Sequence, residues 1–380
     1  MHIRKLMSEL HKWLGLFTGA VLFVVCTTGC IYAFKDEITD LTEPWRHIDD
    51  QSDRQIISPS ELIDIASEAM NGNIPTALTF SERTDALRAD YYDWGKEQTT
   101  VWVNSYNGNV LHTTTHRGSE FDFWNFILCG HTALWLPRHI GKLVVGYSVL
   151  IFFIVLITGL VVWLPKRIKI FRLKERFTLR KTLVSLHAVL GLYAIVPLIA
   201  LCITGMLFAL SWFSTGVYFA ISGGKSMQPY TLPHSQQTHE SVTPIATRLD
   251  ILHTRLTYKE PQAVQYYYAL PADSTACIRV SIVHKRGSYY RTDNRFFDQY
   301  SLTELNGSGP WAGKYNEAST ADTIMRANLE LHDGRMFGIV GKIIMFFASF
   351  VGAWLAVSGY VLWIRRLRHR DARHLRIVEI

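Results

Sequence analysis

The chain has 380 residues, of which 48% are hydrophobic and 19% are charged, and its formal net charge is +7. This composition excludes a disordered, a collagen-like and a disulfide-framework protein. The mean hydropathy of +0.09 is too high for a nucleic-acid-binding protein and too low for a chain that lies mostly in a membrane. It fits apolar spans joined to folded segments, so the position of the charge decides the class of protein.

Four apolar runs predict transmembrane helices, because each contains the roughly 20 residues that cross a bilayer. They lie at about 10–34, 140–164, 183–213 and 337–364. No cleavage site with small residues follows the first run, since Gly29-Cys30-Ile31-Tyr32 passes into Phe34-Lys35-Asp36. The first run therefore predicts an uncleaved anchor rather than a signal peptide.

Basic residues predict the orientation of these spans. The short loop after the second run has a single acid, Glu175, among many basic residues, and the C-terminal tail is rich in arginine. Together with Arg4 and Lys5, these groups lie on one side of a four-span topology, which makes that side cytoplasmic. The two long loops then lie outside, in the periplasm of a Gram-negative cell. The positive charge thus indicates sidedness, and no motif favours nucleic acid.

The predicted architecture is an α-helical membrane protein with four transmembrane helices and two periplasmic α+β domains. Its segments are a cytoplasmic N-terminus with the first span (1–35), a first outer domain (36–136), the second span (137–164), a basic cytoplasmic loop (165–182), the third span (183–213), a second outer domain (214–334), the fourth span (335–364) and a basic cytoplasmic tail (365–380).

The chain is duplicated. His11 to Thr28-Gly29 in the first span has the same 17-residue separation as His187 to Thr204-Gly205 in the third. In the second and fourth spans, Gly141, Thr158-Gly159 and Trp163 recur 200 residues later as Gly341, Ser358-Gly359 and Trp363. The two halves begin on the same side, so a pseudo-twofold axis along the membrane normal relates them and places equivalent residues at equal depth.

Each outer segment predicts a helix followed by strands. Ser58-Pro59 and Thr243-Pro244 are typical helix starts. Strands are predicted at 74–80, 86–92 and 99–105, with a turn at 107–109 before Val110-Leu111, and again at 262–270, 276–284 and 294–299.

Four histidines occupy matching positions of the two halves: His11 with His187, and His131 with His332. A single histidine near a membrane boundary is more often structural, but ionisable groups at membrane depth have a functional role by default. Two histidines that face each other across a helix bundle are typical of bis-imidazole haem ligation, which suits electron transfer and leaves no position for oxygen. His11 lies about 35 Å of helix from the outer end of its span. The four histidines therefore predict two haem b groups, an inner and an outer one.

Other candidates remain open. His139, eight residues after His131, is an alternative outer ligand or a partner for a haem propionate. Cys129 and Cys277 lie on the outer side, where a bridge between them is possible, although spacing cannot show it. The glycines at matching positions of the two halves fit either close helix packing or close approach of a macrocycle.

The chain resembles the PepSY-associated transmembrane family, also called iron-regulated membrane proteins. The resemblance rests on His11-Lys12-Trp13-Leu14-Gly15 with Thr28-Gly29, on its echo at His187 with Thr204-Gly205, and on Ser358-Gly359-Tyr360-Val361-Leu362-Trp363. Residues 101–111 resemble the strand–turn–strand end of a PepSY domain, and residues 298–305 resemble a degenerate second copy without the turn glycine.

The resemblance implies a di-haem inner-membrane reductase that reduces a ferric siderophore or another iron chelate in the periplasm and releases Fe(II). The electron donor is expected to be a cytoplasmic reductase or a membrane quinol, and Trp124, Trp135 and Trp311 are candidates to face the substrate. The alternative is a non-redox PepSY membrane protein that binds peptides or regulates a protease or an assembly.

Overall fold

The computed structural model describes residues 2–51, 53–93, 97–118, 120–163, 179–236 and 243–378. Most of the predicted basic loop, at 165–178, lies outside these residues. The chain divides into two compact units. The helical unit comprises Met1–Lys35, Phe123–Gly216 and Leu331–Ile380, and the sheet unit comprises Asp36–Asp122 and Val217–Glu330.

The helical unit contains long apolar helices at three of the four predicted spans. Helix α1 is His2–Tyr32, α5 is Arg138–Trp163 and α11 is Gly338–Val378. The stretches Ile3–Thr42, Arg138–Trp163 and Arg335–Arg368 are each long and apolar enough to cross a membrane. In the described part of the chain the count of such spans is three, or four if the bent helix pair described next crosses as one.

The third predicted span, 183–213, is not one continuous helix. It consists of α6 (Leu179–Tyr193) and α7 (Ile195–Ala209), which are bent by 63° at Ala194. Pro197 explains why a helix begins anew here, because proline has no N–H for the carbonyl of Tyr193 and is tolerated in the first turn of a helix. A further apolar helix, α8 (Ser211–Ile221), follows directly.

Two helices that the sequence analysis did not predict carry the outer histidines. Helix α4 (Phe123–Ala133) contains His131, and α10 (Thr320–Asp333) contains His332. Helix α10 ends at Gly334 with φ of 82°, a left-handed conformation that glycine adopts without strain. At the equivalent end of α4, Leu134 and Trp135 take positive φ instead. Both helices therefore stop within a few residues of their histidine.

The sheet unit contains helices α2 (Lys35–Thr42), α3 (Pro59–Ala69) and α9 (Ile245–Lys259) and a single antiparallel sheet. Helix α3 begins as predicted, with Ser58 and Glu61 forming a capping box. The strands are β1 (Ala77–Phe80), β2 (Leu87–Asp93), β3 (Glu97–Val103), β4 (Val110–Arg117), β5 (Gln265–Ala269), β6 (Ile278–Val283), β7 (Thr292–Phe297) and β8 (Glu304–Leu305).

The strands of the two predicted outer domains join in one eight-stranded sheet. Its order is β4-β3-β2-β1-β5-β6-β7-β8. The first strand of each half, β1 and β5, lies at the centre, and the later strands of each half follow outward in chain order. Strands β1 and β5 pair antiparallel, with Leu78 opposite Tyr268 and Thr79 opposite Tyr267. Each half would otherwise expose the edge of its first strand, and pairing satisfies the backbone groups of both edges. Two separate domains are therefore replaced by one.

One apolar core supports this sheet. Leu62 and Ala66 of α3 and Leu249, Leu252 and Leu256 of α9 are buried against both sets of strands. All five cysteines are free thiols, so the Cys129–Cys277 bridge left open by the sequence is not formed.

Leu78→Ala tests the joint sheet. Leu78 is fully buried at the β1–β5 seam, so its truncation is expected to cost about 2–5 kcal/mol and to loosen both halves of the sheet together. Hydrogen exchange of the full chain in detergent should show faster exchange in both β1–β3 and β5–β7. Leu41→Ala is the control, since Leu41 is 85% exposed. Faster exchange confined to β1–β3 would contradict a shared core.

Candidate cofactor site: two histidine pairs

The four matched histidines all lie in the helical unit, each on a different helix. His11 is on α1, His131 is in the last turn of α4, His187 is on α6 and His332 is in the last turn of α10. Each side chain is partly buried. The imidazoles therefore lie inside the unit and still keep accessible surface.

These side chains form two pairs. The ring centres of His11 and His187 are 6.2 Å apart, with the ring planes at 89°. The ring centres of His131 and His332 are 6.0 Å apart, with the planes at 60°. At these distances the nitrogens of the two rings are too far apart to form a hydrogen bond with each other. The two pairs have nearly the same separation. The pairs will be called the inner pair (His11 and His187) and the outer pair (His131 and His332).

Each histidine of the first half is held through its Nδ1 atom by a backbone carbonyl. His11 Nδ1 lies 3.0 Å from the carbonyl oxygen of Val155 on α5, and His131 Nδ1 lies 2.9 Å from that of Val25 on α1. A carbonyl only accepts, so both Nδ1 atoms carry the proton. The acceptors lie three residues before Thr158 and Thr28, the threonines of the two Thr-Gly motifs.

Each histidine of the second half is held through Nδ1 by a hydroxyl of the equivalent motif. His187 Nδ1 lies 2.7 Å from Ser358 Oγ on α11, and His332 Nδ1 lies 2.8 Å from Thr204 Oγ1 on α7. Both hydroxyls donate their own proton to a backbone carbonyl, Ser358 to Leu355 and Thr204 to Ala200. They therefore accept from the imidazoles, and Nδ1 is again the protonated nitrogen.

The hydrogen bonds fix one tautomer at all four positions. With the proton on Nδ1, each ring has an unprotonated Nε2, which is the form of imidazole that binds a metal. Burial lowers the pKa of His131, and burial together with His131 lowers the pKa of His332 to about 3. The outer pair, which lies outside the long apolar helices, is therefore neutral at pH 7. The arrangement presents two metal-binding nitrogens at each pair.

The hydrogen bonds stay within one half, whereas the pairs cross between halves. His11 bonds to α5 and His131 to α1, both in the first half of the chain, and His187 and His332 bond within the second half. Each half is thus a closed unit of two histidines and two acceptors. The inner and outer pairs then each take one histidine from each half, as the pseudo-twofold relation predicts.

The glycines of the same motifs make room for the rings. A Cβ atom on Gly159 would lie 2.9 Å from His11 Cε1, and one on Gly29 would lie 3.1 Å from His131 Cε1. A Cβ atom on Gly205 would lie 3.7 Å from His332 Cε1, whereas one on Gly359 would meet nothing within 4 Å. A side chain at Gly159 would therefore collide with the imidazole, one at Gly29 would require a small shift of the ring, and one at Gly359 would fit.

The two pairs lie at different depths. On α1, His11 belongs to the inner pair, and Val25 and Gly29 contact the outer pair. These positions are 14 to 18 residues apart, or roughly 21–27 Å along the helix axis. The apolar core of the helical unit includes Leu22, Phe152 and Leu198.

The remaining candidates lie outside this arrangement. His139 is exposed near the start of α5. Trp124 contacts Tyr32 edge to face, and Trp135, which is 46% exposed, stacks on Phe126. Trp311 belongs to the sheet unit and is 42% exposed.

The sequence analysis recognised the Thr-Gly and Ser-Gly motifs only as marks of the repeat. The structure gives them a common task, because each motif holds one imidazole by hydrogen bonding or close contact. The signal was present in the sequence: four hydroxyl–glycine dipeptides and four histidines occur at matching positions. The sequence did not show which histidine each motif holds; in the structure it is a histidine on another helix of the same half.

These features define a helical membrane protein in which two histidine pairs link the halves of a duplicated chain. The chain belongs to the PepSY-associated TM region family, whose match covers residues 8–366. The family suggested by the His11 and His187 motifs is therefore confirmed. Comparison with curated protein sequences gives no match.

Gly159→Ala and Gly359→Ala test the fit of the inner pair. A methyl group at Gly159 forces His11 to shift, at a cost of about 1–3 kcal/mol, which exceeds the gain of up to about 1 kcal/mol from replacing a helical glycine. At Gly359 only the gain applies. We expect a lower thermal unfolding midpoint in detergent for Gly159→Ala and an equal or higher one for Gly359→Ala. Equal losses in both variants would contradict the contact.

Proposed function

We propose that this chain is an inner-membrane di-haem b reductase that passes electrons to a periplasmic ferric chelate, most specifically a ferric siderophore, and thereby releases Fe(II). The observation that carries the proposal is the pairing of four imidazoles at 6.2 and 6.0 Å, each with Nδ1 already hydrogen-bonded. His11 and His187 would hold one haem, and His131 and His332 the other.

The ring spacing fits this assignment. An imidazole nitrogen lies about 2 Å from a bound metal, so two rings on opposite sides of one iron have their centres about 6 Å apart once the ring radii are added. The inner and outer separations agree with this value. The partly buried state of all four side chains supports access from the space between the helices.

A haem held by two histidines would supply one-electron transfer. The chain's own residues prepare the ligands. The acceptors at Val155, Val25, Ser358 and Thr204 hold each ring in one orientation and keep the proton on Nδ1. Such outer hydrogen bonds also raise the basicity of the ligand nitrogen.

We further propose that the bent pair α6 and α7 crosses the membrane as one span, which gives four spans with both termini in the cytoplasm. The repeat supports this, since His187 and Thr204 occupy the positions that His11 and Thr28 occupy in the first span. The basic residues that flank the spans support the orientation. The inner pair is then the cytoplasmic one and the outer pair the periplasmic one.

The two depths fit an electron path from the cytoplasmic side to the outside. The donor is a cytoplasmic reductase or a membrane quinol, and the acceptor is an iron chelate. Siderophore oxygens are hard ligands that hold Fe(III) far better than Fe(II), so reduction releases the metal. The exposed Trp135, just after the α4 helix that carries His131, is an aromatic candidate to contact an acceptor.

The first test is the absorption spectrum of the purified full chain. We expect a red protein with a reduced-minus-oxidised spectrum of bis-histidine haem b and about two haems per chain in a pyridine haemochrome assay. The reduced protein should be reoxidised by a ferric siderophore with formation of Fe(II). A folded, colourless preparation from haem-replete cells would contradict the reductase and favour the non-redox PepSY alternative.

Histidine variants test the assignment of ligands. His187→Ala removes one side chain of the inner pair, so we expect one haem per chain and an unchanged spectrum for the haem that remains. His139→Ala is the matched control, because His139 is exposed, and it should keep both haems. Loss of the outer haem in His139→Ala, with retention in His131→Ala, would assign the outer ligand to His139 instead.

A further inference from the structure

One tryptophan near the inner pair has a buried polar atom with no hydrogen-bond partner in the described part of the chain. The indole Nε1 of Trp163 on α5 is buried and has no hydrogen-bond partner among the described residues. An indole N–H can only donate. A buried donor without an acceptor is unfavourable, most of all at membrane depth, and such exceptions call for an unseen partner.

The position of Trp163 relates it to the inner pair. It lies four residues after Gly159, the glycine that contacts His11, and residues four apart share one face of a helix. Trp163 is also one turn further from the outer pair than Gly159 is, because α5 runs from Arg138 to Trp163. Its N–H therefore lies on the His11 side of α5, at the far end of the inner site.

The repeat supplies a second, independent observation. Trp363 follows Gly359 by the same four residues, and Ser358 beside it binds His187. Each histidine of the inner pair thus has a tryptophan one helical turn after the hydroxyl–glycine motif that holds it. Trp354 also has a buried N–H without a partner among the described residues, but its equivalent in the first half is Ile154. Only the Trp163 and Trp363 positions are duplicated.

We propose that Trp163 and Trp363 anchor the carboxylate end of the inner haem, with the indole N–H of each donating to one propionate. The inference rests on the proposed function. Haem has one polar edge with two carboxylates, and two donors related by the pseudo-twofold axis match their number. A carboxylate accepts strongly and would satisfy the Trp163 N–H, which has no partner among the described residues. Both tryptophans are positioning residues for the cofactor.

The alternative role of these residues is an interfacial belt, in which tryptophan N–H groups point to water and headgroups. The burial of Trp163 Nε1 argues against that role. The inference also predicts asymmetry between the haems, because it concerns only the inner pair.

Trp163→Phe keeps the ring and removes the donor. The measurement is the rate at which purified holoprotein in detergent loses haem to excess apomyoglobin, together with the redox titration of both haems. We expect one haem to be released roughly tenfold faster or more, the loss expected for one hydrogen bond to a charged group. The midpoint potential of that haem should become more negative, and the other haem should be unchanged. Trp212→Phe is the control, because Trp212 is 55% exposed on α8.

The same substitution in a His187→Ala background identifies the haem. That variant keeps only the outer haem, so adding Trp163→Phe should change neither its release nor its potential. Equal behaviour of Trp163→Phe and Trp212→Phe in a protein with two haems would overturn the inference and favour the interfacial belt. Equal loosening of both haems would overturn it as well. A protein that contains no haem would overturn the proposed function itself.

Discussion

The helical unit depends on one interaction, the hydrogen bond from each imidazole Nδ1 to a helix of its own half. That bond explains why hydroxyl–glycine motifs recur at four places: the hydroxyl or the carbonyl one turn before it accepts, and the glycine admits the ring. A histidine alone at membrane depth would be an unsatisfied polar group, which is costly there. With Nδ1 bonded, that cost falls, and each ring is left with an unprotonated Nε2 that can accept a hydrogen bond or bind a metal.

The duplication of the chain brings the four histidines together in two pairs. The acceptors lie within each half, so each half holds its two histidines by its own hydrogen bonds. The pairs arise only when the halves meet, and they arise twice, at two depths on α1. The two halves of the chain are therefore joined in a different way in each of the two units. The sheet unit joins them by backbone pairing of β1 with β5, which needs nothing further. The helical unit brings together side chains that cannot satisfy each other.

The sequence predicted much of this arrangement, because equal offsets in a duplicated chain imply equal depth. His11 with His187 and His131 with His332 follow from spacing alone, as does the start of α3 at Ser58-Pro59. Helices α4 and α10 did not follow, and neither did three further features. The break at Ala194 lies in an apolar run whose hydropathy is uninterrupted, and only Pro197 marked it. The β1–β5 seam is a contact between distant segments that local periodicity does not encode. The partners of Nδ1 are backbone carbonyls in two cases, and a carbonyl has no residue type to recognise.

The difference between the two halves shows where the constraint is strictest. The first half uses carbonyl acceptors and needs Gly159 and Gly29 against its rings, whereas the second half uses Ser358 and Thr204 directly and leaves space at Gly359. Sequence drift has thus changed the atom that accepts, the tightness of the contact and the turn after the outer histidine, where Leu134 and Trp135 replace Gly334. It has not changed the tautomer. The hydrogen bonds alone explain this, because a carbonyl acceptor admits only a protonated Nδ1, and every ring is thereby left with an unprotonated Nε2, the form of imidazole that can bind a metal.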